Sequence, residues 1–133
     1  MLNLLFTIFF HFVHYQSARP EPKIEIIGLP SITNTETEFK VREMAYQEEF
    51  KNPDMLAKLI QCESKFRTNA INLRNRPGRG IDFGLLQINN KYHPEVPLSC
   101  SMDLTCSTKW AIWKIKSGHL KEWSCANYLK LKY

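Results

Sequence analysis

Most of the marks of other functional classes are missing from this sequence. It has no CxxC pair, and its four histidines fall at no metal-ligand spacing, so a zinc centre has nothing to build on. It has no internal repeat and no low-complexity stretch, which excludes solenoids and repeat arrays. It carries no helix-turn-helix or RNA-binding signature, so a basic charge is the whole case for nucleic acid. It also has no apolar run long enough for a secure membrane span. Met1 to Val13 is nearly unbroken apolar sequence, but it is short and His11 and His14 flank its end. No Lys or Arg precedes that run, so the positive start of an export signal rests on the N-terminal amine.

What is present is one domain's worth of chain, 133 residues with an ordinary 44% hydrophobic content. Residues 1–18 read as a signal peptide, with Ser17 and Ala18 as small residues near a cut site and Pro20 just beyond. An uncleaved membrane anchor and a core helix are the other readings of the same run. Four cysteines stand outside it, at 62, 100, 106 and 125. An even number in a short exported chain favours two disulfides over four buried thiols. Charge is unevenly divided. Residues 1–53 hold five Lys/Arg against seven acids, net −2; residues 54–133 hold thirteen against six, net +7. A compact basic domain suits a polyanion, such as nucleic acid, anionic lipid or an acidic cell wall, and charge alone does not choose.

Residues 19–35 carry three prolines and a glycine and read as a linker or short edge strand. From about Glu36 to Lys51 the pattern is helical, capped by Asn34 or Thr35, with Phe39, Met44, Tyr46 and Phe50 as a sticky face. That helix either docks on the domain or belongs to a stalk, so 19–51 is taken as linker and possible docking helix, and 52–133 as the main domain. Asn52-Pro53 marks a helix start, and the helix runs to about Lys65 with Leu56, Leu59 and Ile60 on its apolar face. Residues 71–81, with Pro77-Gly78, read as a small hairpin or irregular sheet. Phe83 to Asn90 is apolar and could begin a further helix, and Pro94 and Pro97 then break the chain. Asp103 to Ser117 is helical until Gly118, and a last short turn runs from Trp123 to about Leu129.

One residue stands out from its surroundings. Glu63 lies seven, four and three positions after Leu56, Leu59 and Ile60, on the apolar face of its own helix. A carboxyl buried there is pushed towards its neutral form. A neutral carboxylic acid near pH 7 is what scission of a glycosidic bond requires, because the leaving oxygen must be protonated. Spacing alone favours a glutamate that reaches water or pairs with Lys65 or Arg67, since charged residues on apolar faces usually find a partner. Asp82, after a Gly/Arg-rich turn, is the better of the possible second acids, since Asp54 and Asp103 sit at helix starts. Sugar rings pack on aromatic faces. Tyr92 and Trp123, near loops, are the cleft candidates, whereas Trp110 and Trp113 at three-residue spacing read as core.

Two blocks carry a resemblance: Cys62-Glu63-Ser64-Lys65-Phe66, with Ala70 and Asn72 after it, and Asp82-Phe83-Gly84-Leu85-Leu86-Gln87-Ile88-Asn89. In order, with 19 residues from acid to acid and Trp123-Ser124-Cys125 closing, they resemble the lysozyme-like superfamily. The resemblance implies an α+β, mainly helical fold with a small irregular β-hairpin region beside a cleft. It implies Glu63 as general acid and Asp82 as the second acid of animal-type members. It also implies Gly84, Gln87 and Asn89 as cleft residues. The substrate it implies is the glycan strand of bacterial peptidoglycan, cut by a monomeric secreted enzyme without cofactor or metal, through hydrolysis or lytic transglycosylation. An inactive glycan-binding relative is the alternative of another class. The chain is shorter than animal lysozymes, with four cysteines where they usually have eight, and Arg74, Arg76 and Arg79 make one loop unusually basic. These departures suggest a compact bacterial or phage version. Placed on this fold, the cysteines would pair 62–125 and 100–106. The long bridge would then contribute about 4 kcal/mol through chain entropy.

Overall fold

The computed structural model describes residues 33–73 and 77–133. The expected signal peptide, the linker up to residue 32, and Arg74 and Arg76 lie outside the described residues. The rest is a mainly helical α+β fold: five α-helices, one 3-10 turn and one small sheet.

The first helix, α1 (Asn34–Gln47), starts where the Thr33 side chain accepts from the Glu36 N–H at 3.2 Å. Its cap is therefore Thr33, one residue before the capping pair expected from sequence. Its buried face is Thr37, Val41, Met44 and Ala45, at steps of four, three and one. That face packs on two other helices, so this segment is docked as part of the core and is no free stalk. Phe39 and Tyr46, expected on the sticky face, point outward and are exposed, while Met44 and Phe50 are buried.

The second helix, α2 (Pro53–Glu63), begins as its sequence signals require. Asn52 accepts from the Met55 N–H at 3.0 Å, and Pro53 occupies the first helical position, where no N–H is needed. Leu56, Leu59 and Ile60 are fully buried. Lys65 and Phe66 then take positive φ (56° and 61°), which ends the helix and turns the chain sharply.

A three-stranded antiparallel sheet follows, from β1 (Ile71–Asn72), β2 (Asp82–Phe83) and β3 (Ile88–Asn89). Asp82 sits opposite Asn72 on one side and Asn89 on the other. The helix expected to begin near Phe83 is absent; that stretch is two strands and a tight turn. The reason is backbone geometry: Gly84 and Gln87 both have positive φ (69° and 50°), which no helix tolerates. At Gly84 a side chain would also collide with the carbonyl oxygen of Ser101. Glycine therefore lets the sheet turn lie directly against α3 (Leu98–Ser101), a short helix where the two prolines suggested only a break.

The long helix α4 (Leu104–Lys116) is capped by Asp103, whose side chain accepts from the Cys106 N–H at 2.7 Å. It stops before Gly118, as expected from sequence. It buries Ala111, Ile112 and Ile115 against α1 and the centre of the molecule. A 3-10 turn (Leu120–Glu122) and α5 (Ser124–Tyr128) close the fold against α2. The disulfides join Cys62 to Cys125 and Cys100 to Cys106, with no free cysteine.

Candidate functional site

Glu63 is the last residue of α2, half-buried, with the apolar run of that helix behind it. Its Oε1 accepts a hydrogen bond from the Cys125 backbone N–H at 3.2 Å. The carboxyl is therefore held at the junction of α2 and α5 and does not swing freely in solvent. Cys62, the residue before Glu63, is disulfide-bonded to Cys125, the residue that donates this hydrogen bond.

Two residues before Cys125, Trp123 is 6% exposed and donates its indole N–H to the Leu86 carbonyl at 3.0 Å. A buried indole must find such an acceptor. This bond ties the chain before α5 to the turn between β2 and β3. Trp123 thereby forms one wall of a cavity of about 340 Å³ whose other walls include Gln87, Asn89, Tyr92, His93 and Trp110. That volume lies within the range of small-ligand clefts. Tyr92 is 60% exposed at its rim.

The cleft residues are held by one another. Asn89 is buried and spends its whole amide on the protein: Nδ2 donates to Asp82 Oδ1 at 2.7 Å and to the Arg79 carbonyl at 3.0 Å. Its Oδ1 accepts from the Lys91 and Tyr92 N–H groups. It is thus the hub that fixes the loop carrying Tyr92. Gln87 donates its side-chain amide to the Gly84 carbonyl at 2.9 Å and to the Ala70 carbonyl at 3.4 Å. Its N–H donors are therefore turned to the protein, and the amide oxygen is the atom left for a ligand. Gly84 serves by its backbone, as the position where only glycine fits against Ser101.

Asp82 requires a correction to the sequence reading. It follows the Gly/Arg-rich turn, yet it lies in the middle strand with 0% of its surface exposed. Cross-strand pairing to Asn72 and Asn89 buries it. Trp110 and Trp113 also part from expectation. Trp113 is 61% exposed on the outer face of α4, and Trp110 lines the cleft. Residues three apart on a helix differ by only about 60°, so the spacing puts both near one face, and it is what each meets in the fold that leaves Trp113 exposed and Trp110 in the cleft.

Sequence reasoning missed His93 and Glu122, which also border the cleft. Glu122 Oε2 lies 3.0 Å from Lys114 Nζ and 3.6 Å from His93 Nε2, and its Oε1 lies 2.7 Å from His119 Nδ1. Burial pushes the Glu122 carboxyl up, but hydrogen bonds from Lys114 and His119, with their charges, outweigh it and hold the group below its ordinary range. The His93 ring stands edge-on to Trp110 at 4.9 Å, and Trp110 in turn stands edge-on to Trp123 at 5.9 Å. The adjacency of Glu122 to Trp123, and of His93 to Tyr92, was the available signal.

A larger groove of about 790 Å³ lies along α1 and α2. Its acids, Glu38 and Asp54, are both ion-paired with Arg42, at 2.9 and 2.6 Å, so its carboxylates are committed to the protein. Among the described residues no group of three His, Cys, Asp or Glu could hold a metal ion, and no helix is long and apolar enough to cross a membrane.

A half-buried glutamate ending a helix, a three-stranded sheet carrying Asp-x-Gly-Leu-x-Gln-Ile-Asn, and an aromatic-walled cleft lined in part by the third strand define a small disulfide-bonded domain of lysozyme-like build. Comparison with known proteins agrees. The chain is 35% identical over 97 residues to Lysozyme P of Drosophila melanogaster, a match covering 50% of this chain and 68% of that protein. No family model matches the chain, and no solved structure does. The chain belongs to the lysozyme-like superfamily. The relative is an animal protein, so it lends no support to the compact bacterial or phage type.

Proposed function

We propose that this protein is a secreted glycosidase that cuts the β-1,4 bond between N-acetylmuramic acid and N-acetylglucosamine in peptidoglycan, with Glu63 as general acid. The observation that carries the reading is the setting of Glu63. It is half-buried at the end of an apolar helix and fixed by the Cys125 N–H. Only a two-residue step of chain separates its partner from the Trp123 wall of the cleft. Similarity to a protein named as a lysozyme supports the same reading.

In this mechanism a sugar lies against Trp110 and Tyr92 while the amide oxygen of Gln87 receives one of its hydroxyl or amide donors. Glu63 gives its proton to the bridging oxygen, the glycosidic bond breaks, and positive charge develops on the sugar ring. Asp82 supplies a negative charge close to the sheet that stabilises the oxocarbenium ion, and water completes hydrolysis. The net basic charge favours approach to an anionic wall. Disulfides and the reading of residues 1–18 as a signal peptide fit action outside the cell.

The complete burial of Asp82 favours a second reading. If that carboxylate does not reach the ring, the muramyl 6-hydroxyl attacks instead and leaves a 1,6-anhydro sugar, as in lytic transglycosylases. Digestion of purified peptidoglycan with mass analysis separates the two, because the anhydro product is lighter by one water. On the hydrolytic reading Asp82→Asn slows cleavage at least about tenfold; on the other it leaves the rate within about twofold. Glu63→Gln should lower the rate by about 100-fold to 10,000-fold with an unchanged melting temperature. Wild-type lysis rates in that variant would remove the catalytic assignment.

A further inference from the structure

We infer that the Cys62–Cys125 disulfide is a positioning device for Glu63, over and above its part in holding the fold. The inference rests on the reading of Glu63 as the acid. Residue 62 immediately precedes the carboxyl-bearing residue, and residue 125 supplies the N–H that the carboxyl accepts at 3.2 Å. One covalent bond therefore fixes both ends of one hydrogen bond. Donor and acceptor belong to α2 and α5, which are 62 residues apart in sequence. The bridge is the covalent tie that holds the two helices in register.

The same short stretch also carries the cleft wall. Trp123 is anchored to the Leu86 carbonyl, and Cys125, two residues on, is anchored to Cys62. Chain 123–125 is thus tied at both ends, once to the sheet turn and once to the catalytic helix. The distance from the acid to the ring-binding wall is set by those two ties. Displacing a reacting group by about 1 Å costs on the order of 100-fold in rate. A tether that removes such freedom acts on the bond-breaking step and leaves sugar binding alone. The other disulfide, Cys100–Cys106, holds neither Glu63 nor its partner.

The test compares the full-length wild type with Cys62→Ser/Cys125→Ser, with the volume-refilling Cys62→Ala/Cys125→Val, and with Cys100→Ser/Cys106→Ser. Each is assayed on a soluble peptidoglycan fragment well below its own melting temperature. Both 62/125 variants should keep KM within about twofold and lose about 10- to 100-fold in kcat. The 100/106 variant should melt at lower temperature with kcat nearly unchanged. In the wild type, the amide proton of Cys125 should show an NMR titration step that Glu63→Gln abolishes. The absence of that step overturns the inference even if no 62/125 variant folds. A cleaving wild type whose kcat is matched by either folded 62/125 variant sinks the inference alone. A wild type that cleaves no glycan sinks the proposed function and the inference together.

Discussion

Asp82 and Asn89 show how a buried polar pair constrains a site. With 0% exposure, the Asp82 carboxylate needs its protein donors, and Asn89 Nδ2 at 2.7 Å is one of them. Asp82→Ala would leave that amide short of an acceptor in a buried place and should cost about 1–3 kcal/mol in urea unfolding. Asp82→Asn keeps an oxygen for Asn89 and should fold with a clearly smaller loss. Glu122 has a pH signature. Its carboxyl is held below the ordinary value of 4.5 in the folded protein by Lys114 and His119, against the opposing effect of burial. A group with a depressed folded value contributes stability above 4.5 and loses it as pH falls through that lower value. Thermal melts of wild type and Glu122→Gln should therefore differ at neutral pH and converge in acid below pH 4.5. A gap that persists at low pH would show that packing, not charge, is what Glu122 supplies.

At the scale of elements, the sheet turn is the most demanding piece. Gly84 combines φ of 69° with a backbone neighbour where a side chain would stand. Gly84→Ala must therefore push α3 away or distort β2, and should cost more than about 1 kcal/mol. It should also displace Gln87, whose amide rests on the Gly84 carbonyl. Chemical denaturation reads the first effect and the rate of glycan cleavage reads the second. The helix starts at Asn52 and Asp103, by contrast, are local solutions. Each is a side-chain acceptor for an N–H three residues on, and each works with little help from the rest of the chain.

Across the whole molecule, α1 decides what the folding unit is. Val41, Ala45 and Phe50 belong to the same buried cluster as Leu56, Ile60, Ala111 and Ile115. Lys109 and Lys116 of α4 also reach back to Glu48, just beyond the end of α1. A fragment beginning at Asn52 would expose the faces of α2 and α4 that α1 covers. We expect it to show a broad, weak melting transition by circular dichroism, whereas a fragment beginning at Thr33 should melt cooperatively. Equal cooperativity in the two would show that the first helix is an addition to a self-sufficient core.

Local signals made a good part of this legible without coordinates. Asn52-Pro53, the apolar spacing of Leu56, Leu59 and Ile60, and the stop at Gly118 each act through neighbours in sequence, so helices α2 and α4 could be read directly. The lysozyme-like build could be read as well, because its two blocks stand in order. Tertiary structure alone decided the rest. Leu85, Leu86 and Ile88 look the same in a helix and in a buried turn, and only pairing with Ile71 and packing on Ser101 select the strands. The burial of Asp82 depends on partners on two other strands. The cleft is made where residues 87–93, 110 and 122–123 meet, and the seat of Glu63 depends on an N–H 62 residues away. Periodicity reports which face of an element is apolar; what that face meets is set by contacts between segments distant in the chain.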